Sequence, residues 1–77
     1  MLTLYTKPNC SFCARVKEEG AFLGVTFTEK SVLDEGVVEE LVAKGGERQV
    51  PFLVDDEENV FMYGSDEIIA HLHKRFR

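Results

Sequence analysis

Missing from this 77-residue chain is any apolar run near the roughly 20 residues that a bilayer-spanning helix needs. Positive charge is scarce. Lys and Arg total 9 against 14 Asp and Glu, for a formal net charge of −5. A nucleic-acid surface wants a basic stripe that displaces counterions, and an anionic lipid surface wants much the same. Neither partner is expected. No basic segment precedes the start, and Met1-Leu2-Thr3-Leu4-Tyr5 alternates instead of forming an apolar signal block, so the chain is expected to be cytoplasmic. Repeats, linkers and low-complexity tracts are absent. What is left is 44% hydrophobic and 30% charged, ordinary globular composition that points to one domain over residues 1–77.

Cysteine is also scarce, and its placement matters more than its number. Cys10 and Cys13 are the only two, three positions apart. A structural staple would join distant segments. A bridge between these two closes so short a loop that it contributes about 2 kcal/mol at most. The pair suits chemistry better than stability.

The hydrophobic pattern sets out seven elements. Leu2 and Leu4 alternate with Thr3 and Tyr5, a first strand. After the Lys7-Pro8-Asn9 loop a helix is predicted from Ser11 to Leu23, with Phe12, Val16 and Leu23 as core markers and Gly20 and Gly24 bracketing its end. Val25 to Lys30 alternates again. Asp34 is placed to cap a second helix, in which Val37, Val38, Leu41 and Val42 share a face and Gly45-Gly46 is the stop. Phe52-Leu53-Val54 and Val60-Phe61-Met62 flank the polar turn Asp55-Asp56-Glu57-Glu58-Asn59, a hairpin. Ser65 is a natural N-cap for a last helix. Asp66 and Glu67 sit in its first turn, Lys74, Arg75 and Arg77 in its last, and Ile68, Ile69, Leu72 and Phe76 on its buried face. The order β-α-β-α-β-β-α gives an α/β fold: a parallel, right-handed βαβ half, an antiparallel hairpin half, and a four-stranded mixed sheet covered by three helices.

Cys10-Ser11-Phe12-Cys13 follows a strand and opens a helix. Within a βαβ pattern, that placement reads as a thiol–disulfide redox motif. Unpaired N–H groups and the positive end of the helix dipole converge where Cys10 lies, and both favour a thiolate. Lys7 adds a nearby cation. Lowering a thiol from pKa about 8.5 to about 5.5 raises its thiolate fraction at neutral pH roughly thirtyfold. Cys10 is then the exposed nucleophile, and Cys13, one turn further in, the more covered resolving thiol. Two competing readings are inert cysteines and half of a zinc site. Zinc needs four ligands, and His71 and His73, two apart on a helix, point to different faces. Both histidines are expected on the surface, and no metal is assigned.

The segment Tyr5-Thr6-Lys7-Pro8-Asn9-Cys10-Ser11-Phe12-Cys13 resembles the active-site segment of glutaredoxins. Glu47-Arg48-Gln49-Val50-Pro51 resembles that family's Thr-Val-Pro segment, and Gly64-Ser65-Asp66 its Gly-Gly-Cys/Ser-Asp segment. The three blocks occur in family order and cover essentially the whole chain. The resemblance implies a thioredoxin-like fold, a cis Pro51 facing the nucleophile, and glutathione as the reducing co-substrate. It places the glutathione cysteinyl unit on the backbone of Val50 and the γ-glutamyl end on Ser65 and Asp66 beside Gly64. Lys7, with Gln49 or Arg48, is the candidate for the glycine carboxylate, and Phe12 for an aromatic wall. The implied activity is reduction of protein disulfides or glutathionylated thiols by a monomer.

Three features depart from that pattern. Ser11 replaces a proline. Tyr63 replaces the first glycine of the double-glycine segment, where it either narrows the groove or aims outward. The stretches Arg48–Asp55 and Gly64–Ile69 also look like the N-terminal domain of glutathione S-transferases. Those carry a second, helical domain, so transferase activity is not expected here. Two further readings stay open: a redoxin recharged by thioredoxin reductase, and a carrier in which two chains and two glutathiones bridge an iron–sulfur cluster through Cys10. A passive interaction domain is the last alternative.

Overall fold

The computed structural model describes residues 1–76, so Arg77, assigned above to the last turn, lies outside the described residues. The elements run β1 (Leu2–Thr6), α1 (Ser11–Phe22), β2 (Thr28–Ser31), α2 (Val37–Gly45), β3 (Phe52–Asp55), β4 (Val60–Tyr63) and α3 (Ser65–Phe76). The sheet order is β2-β1-β3-β4, with β1 parallel to β2 and antiparallel to β3, and β3 antiparallel to β4. This is the mixed four-stranded sheet with three helices that the pattern predicts.

β1 lies in the middle, and all five of its residues are buried. Its alternation therefore does not mark a wet face. Helices cover both sides, and the polar residues are accommodated individually. Tyr5, for instance, donates its hydroxyl to Glu40 Oε2 at 2.9 Å. On one side Leu2, Leu4, Val16, Leu53, Ile68 and Leu72 pack together. On the other, Tyr5, Val37, Leu41 and Phe52 form a second cluster. Each fully buried apolar side chain contributes on the order of 1.5–3 kcal/mol against exposure.

Several elements differ from the expectation for identifiable reasons. β2 begins at Thr28, not Val25; Val25 and Phe27 pack on the core from the loop before the ladder starts. Gly36, in the left-handed region at φ 82°, precedes α2 with no side-chain cap, so Asp34 does not cap it. The Asp34 carbonyl instead accepts the Val37 N–H at 3.2 Å. Gly64, not Ser65, is the residue before α3, because its carbonyl accepts the Ile68 N–H at 3.0 Å. Gly20 does not end α1 but lies buried inside it, where a Cβ would meet the Phe27 ring at 2.5 Å. Phe12 is 61% exposed and is no core marker.

The largest difference concerns charge. Asp55 was expected in the polar turn, yet it closes β3 and is fully buried. His71 Nε2 lies 2.9 Å and Arg75 Nη1 3.3 Å from its Oδ2, and Arg75 also pairs with Glu57. Burial alone would push this carboxyl up. The His71 contact, the Glu58 N–H and the Arg75 charge together outweigh it and hold Asp55 below the usual carboxylate range. His71 and His73 are thus not free surface groups; His73 reaches Glu19 of α1 at 2.7 Å.

Candidate active site

β1 runs toward its C-terminal end and releases the chain into Lys7-Pro8-Asn9, from which α1 starts back. Asn9 takes a positive φ of 57°, and Cys10 follows as the N-cap in extended conformation. A cysteine in the cap position does with sulfur what Ser or Asp does with oxygen. Cys10 Sγ accepts the Cys13 N–H at 3.1 Å. The sulfur therefore sits among the first N–H groups of α1, at the positive end of the helix dipole.

The two sulfurs are unequal. Cys10 is half-buried, while Cys13 is 2% exposed; both are free thiols. Burial pushes the Cys13 thiol up to about 11, and the contact with Cys10 reinforces it. The Lys7 backbone and the Lys17 ammonium pull the other way and only partly offset this. One thiol is placed to attack, and the other to remain protonated until something draws its proton off. Both line an open cleft with Lys7, Lys17 and Glu29. Lys17 was missed in the sequence, although four- and seven-residue spacings from Cys13 and Cys10 are helical-face signals. Its Nζ lies 3.4 Å from Glu29, which also accepts from the Thr6 hydroxyl at 2.9 Å.

A second cleft adjoins the first through Lys7. Val32, Leu41, Arg48, Gln49 and Val50 complete its wall. Lys7, Gln49 and Val50 are therefore brought together as expected, and Arg48 joins them. Val50 precedes a cis bond to Pro51. Among the described residues no backbone hydrogen bond engages the Val50 N–H or C=O. Both groups are left available to an extended ligand.

Ser65 and Asp66 open α3, and Gly64 precedes them at φ 89°. Sequence reasoning missed Arg15, whose Nη1 lies 2.6 Å from Asp66 Oδ1 and 3.4 Å from Ser65 Oγ. No local spacing could have revealed this pair, since 51 positions separate the partners. Both side chains are more than half exposed, so the pair is worth at most about 1 kcal/mol and an incoming ammonium can displace it. Phe12 lines neither cleft and projects into solvent beside the cysteines. Tyr63 leaves the groove open: its ring stacks on Phe52 with centroids 4.6 Å apart, and its hydroxyl turns to Glu47.

The sequence model described as glutathione S-transferase, N-terminal domain, matches residues 4–77. No curated protein matches the sequence. The solved structure of the thioredoxin-like protein BC3987 is 25% identical with a TM-score of 0.83, over 96% of this chain and 97% of that one. Glutathione transferase E6 from Drosophila melanogaster is 28% identical with a TM-score of 0.80, over 99% of this chain but 35% of its own. Ure2p in complex with glutathione is 23% identical with a TM-score of 0.82, over 97% of this chain and 33% of its own. This chain thus spans about a third of those two proteins and nearly all of the thioredoxin-like one. The fold is thioredoxin-like.

Proposed function

The chain belongs to the glutathione S-transferase N-terminal domain family, and on that premise we propose that it is a glutathione-dependent thiol–disulfide oxidoreductase of glutaredoxin type. The observation that carries this reading is the inequality of the two sulfurs: a half-buried Cys10 accepting a backbone N–H, and a buried Cys13 whose thiol is pushed up to about 11.

The Cys10 thiolate attacks one sulfur of a substrate disulfide. A Cys10–substrate bond forms, and the other substrate sulfur leaves as a thiolate that takes up a proton. Cys13 then loses its proton and attacks Cys10 Sγ, expelling the second substrate thiol. The substrate is reduced by two electrons, and a Cys10–Cys13 disulfide holds the oxidation. Two glutathione thiols restore the dithiol and leave as glutathione disulfide. With a glutathionylated protein, the protein thiol leaves first and glutathione stays on Cys10. Lys7, Arg48 and Gln49 would meet the carboxylate at the glycine end, the Val50 backbone the cysteinyl unit, and Ser65 with Asp66 the γ-glutamyl end.

The test is turnover of a glutathionylated peptide with glutathione and a coupled reductase. Parent turnover, lost in Cys10→Ser and kept in Cys13→Ser, supports the reading. An inactive parent, with Cys10 alkylating no faster than a free cysteine, overturns it. A second reading draws on one comparison: BC3987, described as thioredoxin-like, matches this chain end to end. On that reading a thioredoxin reductase, not glutathione, recharges the Cys10–Cys13 disulfide. Incubating the oxidised protein with each reductant separates the two.

A further inference from the structure

The Arg48–Val50 segment lines the second cleft, yet it belongs to no helix or strand. Its two flanks are nevertheless held, and both holds come from consecutive residues of one strand end. At one flank the Tyr63 hydroxyl accepts the Glu47 N–H at 2.9 Å and donates to the Glu47 C=O at 2.7 Å. At the other, the Gly64 N–H donates to the Pro51 C=O at 3.2 Å. The phenol is itself fixed. Its ring stacks on the fully buried Phe52, which pairs with Tyr63 across β3 and β4. The α2 terminus is shaped around it, since a Cβ on Gly45 would collide with the Tyr63 hydroxyl and with the Phe52 ring.

From this geometry we propose that Tyr63 is a positioning residue for ligand binding: it fixes Glu47 so that Arg48, Gln49 and Val50 stand preformed along the cleft. This rests on the glutathione reading for the identity of the ligand, but not for the anchor itself. A preformed segment avoids the ordering cost that a loose one meets on binding. The residue touches no reacting atom. Its loss weakens binding and leaves the cysteine chemistry alone.

The experiment uses Tyr63→Phe, which keeps the ring and removes only the hydroxyl. A thermal melt of the same variant checks that the fold is retained. Exchange of the Glu47 amide, whose N–H the hydroxyl accepts, reads the anchor, and backbone order parameters at Arg48, Gln49 and Val50 read its effect on the segment. Glutathione titration and a KM-against-kcat comparison read its effect. Each hydrogen bond lost is worth roughly a factor of five. In Tyr63→Phe the Glu47 amide is expected to exchange at least about fivefold faster and the order parameters at Arg48, Gln49 and Val50 to fall, with core amides unchanged. The KM for glutathione is expected to rise by a similar factor, with kcat and the Cys10 alkylation rate retained. Parent-like exchange and parent-like KM in Tyr63→Phe overturn the proposal. So does a fall in kcat and Cys10 alkylation with KM unmoved. If the parent binds no glutathione while Glu47 exchange still quickens and the segment still loosens in the variant, the glutathione reading falls and the anchor stands.

Discussion

The two ends of the central strand pair carry opposite kinds of charged constellation. At one end Leu2 of β1 faces Asp55 of β3; at the other Tyr5 faces Phe52, and the chain runs on to Cys10. The Asp55 end is satisfied. Its carboxylate meets His71, Arg75 and the Glu58 N–H, and Arg75 reaches Glu57 as well. The cysteine end is left open. Among the described residues neither Lys7 nor Arg48 has an ion-pair partner, and Cys10 Sγ has only one backbone donor. A buried charge must be matched or the fold loses several kcal/mol. A reactive group matched as fully would have nothing left for a substrate. The same small sheet thus keeps its completed electrostatics at one rim and its unfinished electrostatics at the other.

Substitutions at the two rims should separate stability from activity. Cys10→Ser is expected to lower disulfide-reducing turnover by at least about a thousandfold, because the attacking sulfur is gone. Its melting temperature should stay within a degree or two of the parent; a large drop would mean that the open rim is also a structural one. Asp55→Asn should do the reverse. It leaves the Arg75 charge and the His71 ring without their buried anionic partner and should destabilise the fold by about 3 kcal/mol in denaturant titration. Its Cys10 alkylation rate should be unchanged.

Acid sharpens the contrast at the closed rim. The Asp55 carboxyl is depressed in the folded chain, so its stabilisation is fully present above about pH 4 and is lost as pH falls through the folded value. The parent should lose stability steeply below that point, and Asp55→Asn should show a shallower slope in the same window. Base sharpens it at the open rim. With the Cys13 thiol at about 11, closure of the Cys10–Cys13 bridge should quicken about tenfold per pH unit between pH 7 and 9. Stopped-flow measurement of single-turnover disulfide reduction reads this directly, and Cys13→Ser should abolish that limb. The smallest effect lies at Tyr5, in the cluster that α2 covers. Tyr5→Phe removes the hydrogen bond to Glu40, which Lys30 also holds at 2.9 Å. A loss of about 1 kcal/mol, with no change in turnover, is expected by thermal melts.

Local rules carried much of the fold and one part of the site. The Cys10 cap position follows from a strand, a loop and a helix start read in order, and the structure bears it out. The hairpin and the stop at Gly45-Gly46, of which Gly46 is the cap, were legible for the same reason, since each depends on a few adjacent residues. What escaped was set by partners far along the chain. Asp55 reads as a turn residue until His71 and Arg75 are brought against it. Arg15 has no visible role until α3 delivers Asp66. Whether Tyr63 narrows the groove or aims outward is undecided until its hydroxyl is seen on Glu47, 16 positions upstream. β2 was misplaced by a subtler conflict: Val25 and Phe27 carry the apolar signal, but they pack as loop residues while the more polar Thr28–Ser31 forms the ladder.

The contact between Gly20 and the Phe27 ring has a consequence for how this sequence can drift. Glycine inside a helix is a weak helix former, roughly 1 kcal/mol worse than alanine. It persists where α1 presses directly on the aromatic ring that leads into the parallel edge strand. Positions 20 and 27 should therefore change as a pair: a methyl group acquired at the first is admissible only when the second has become smaller.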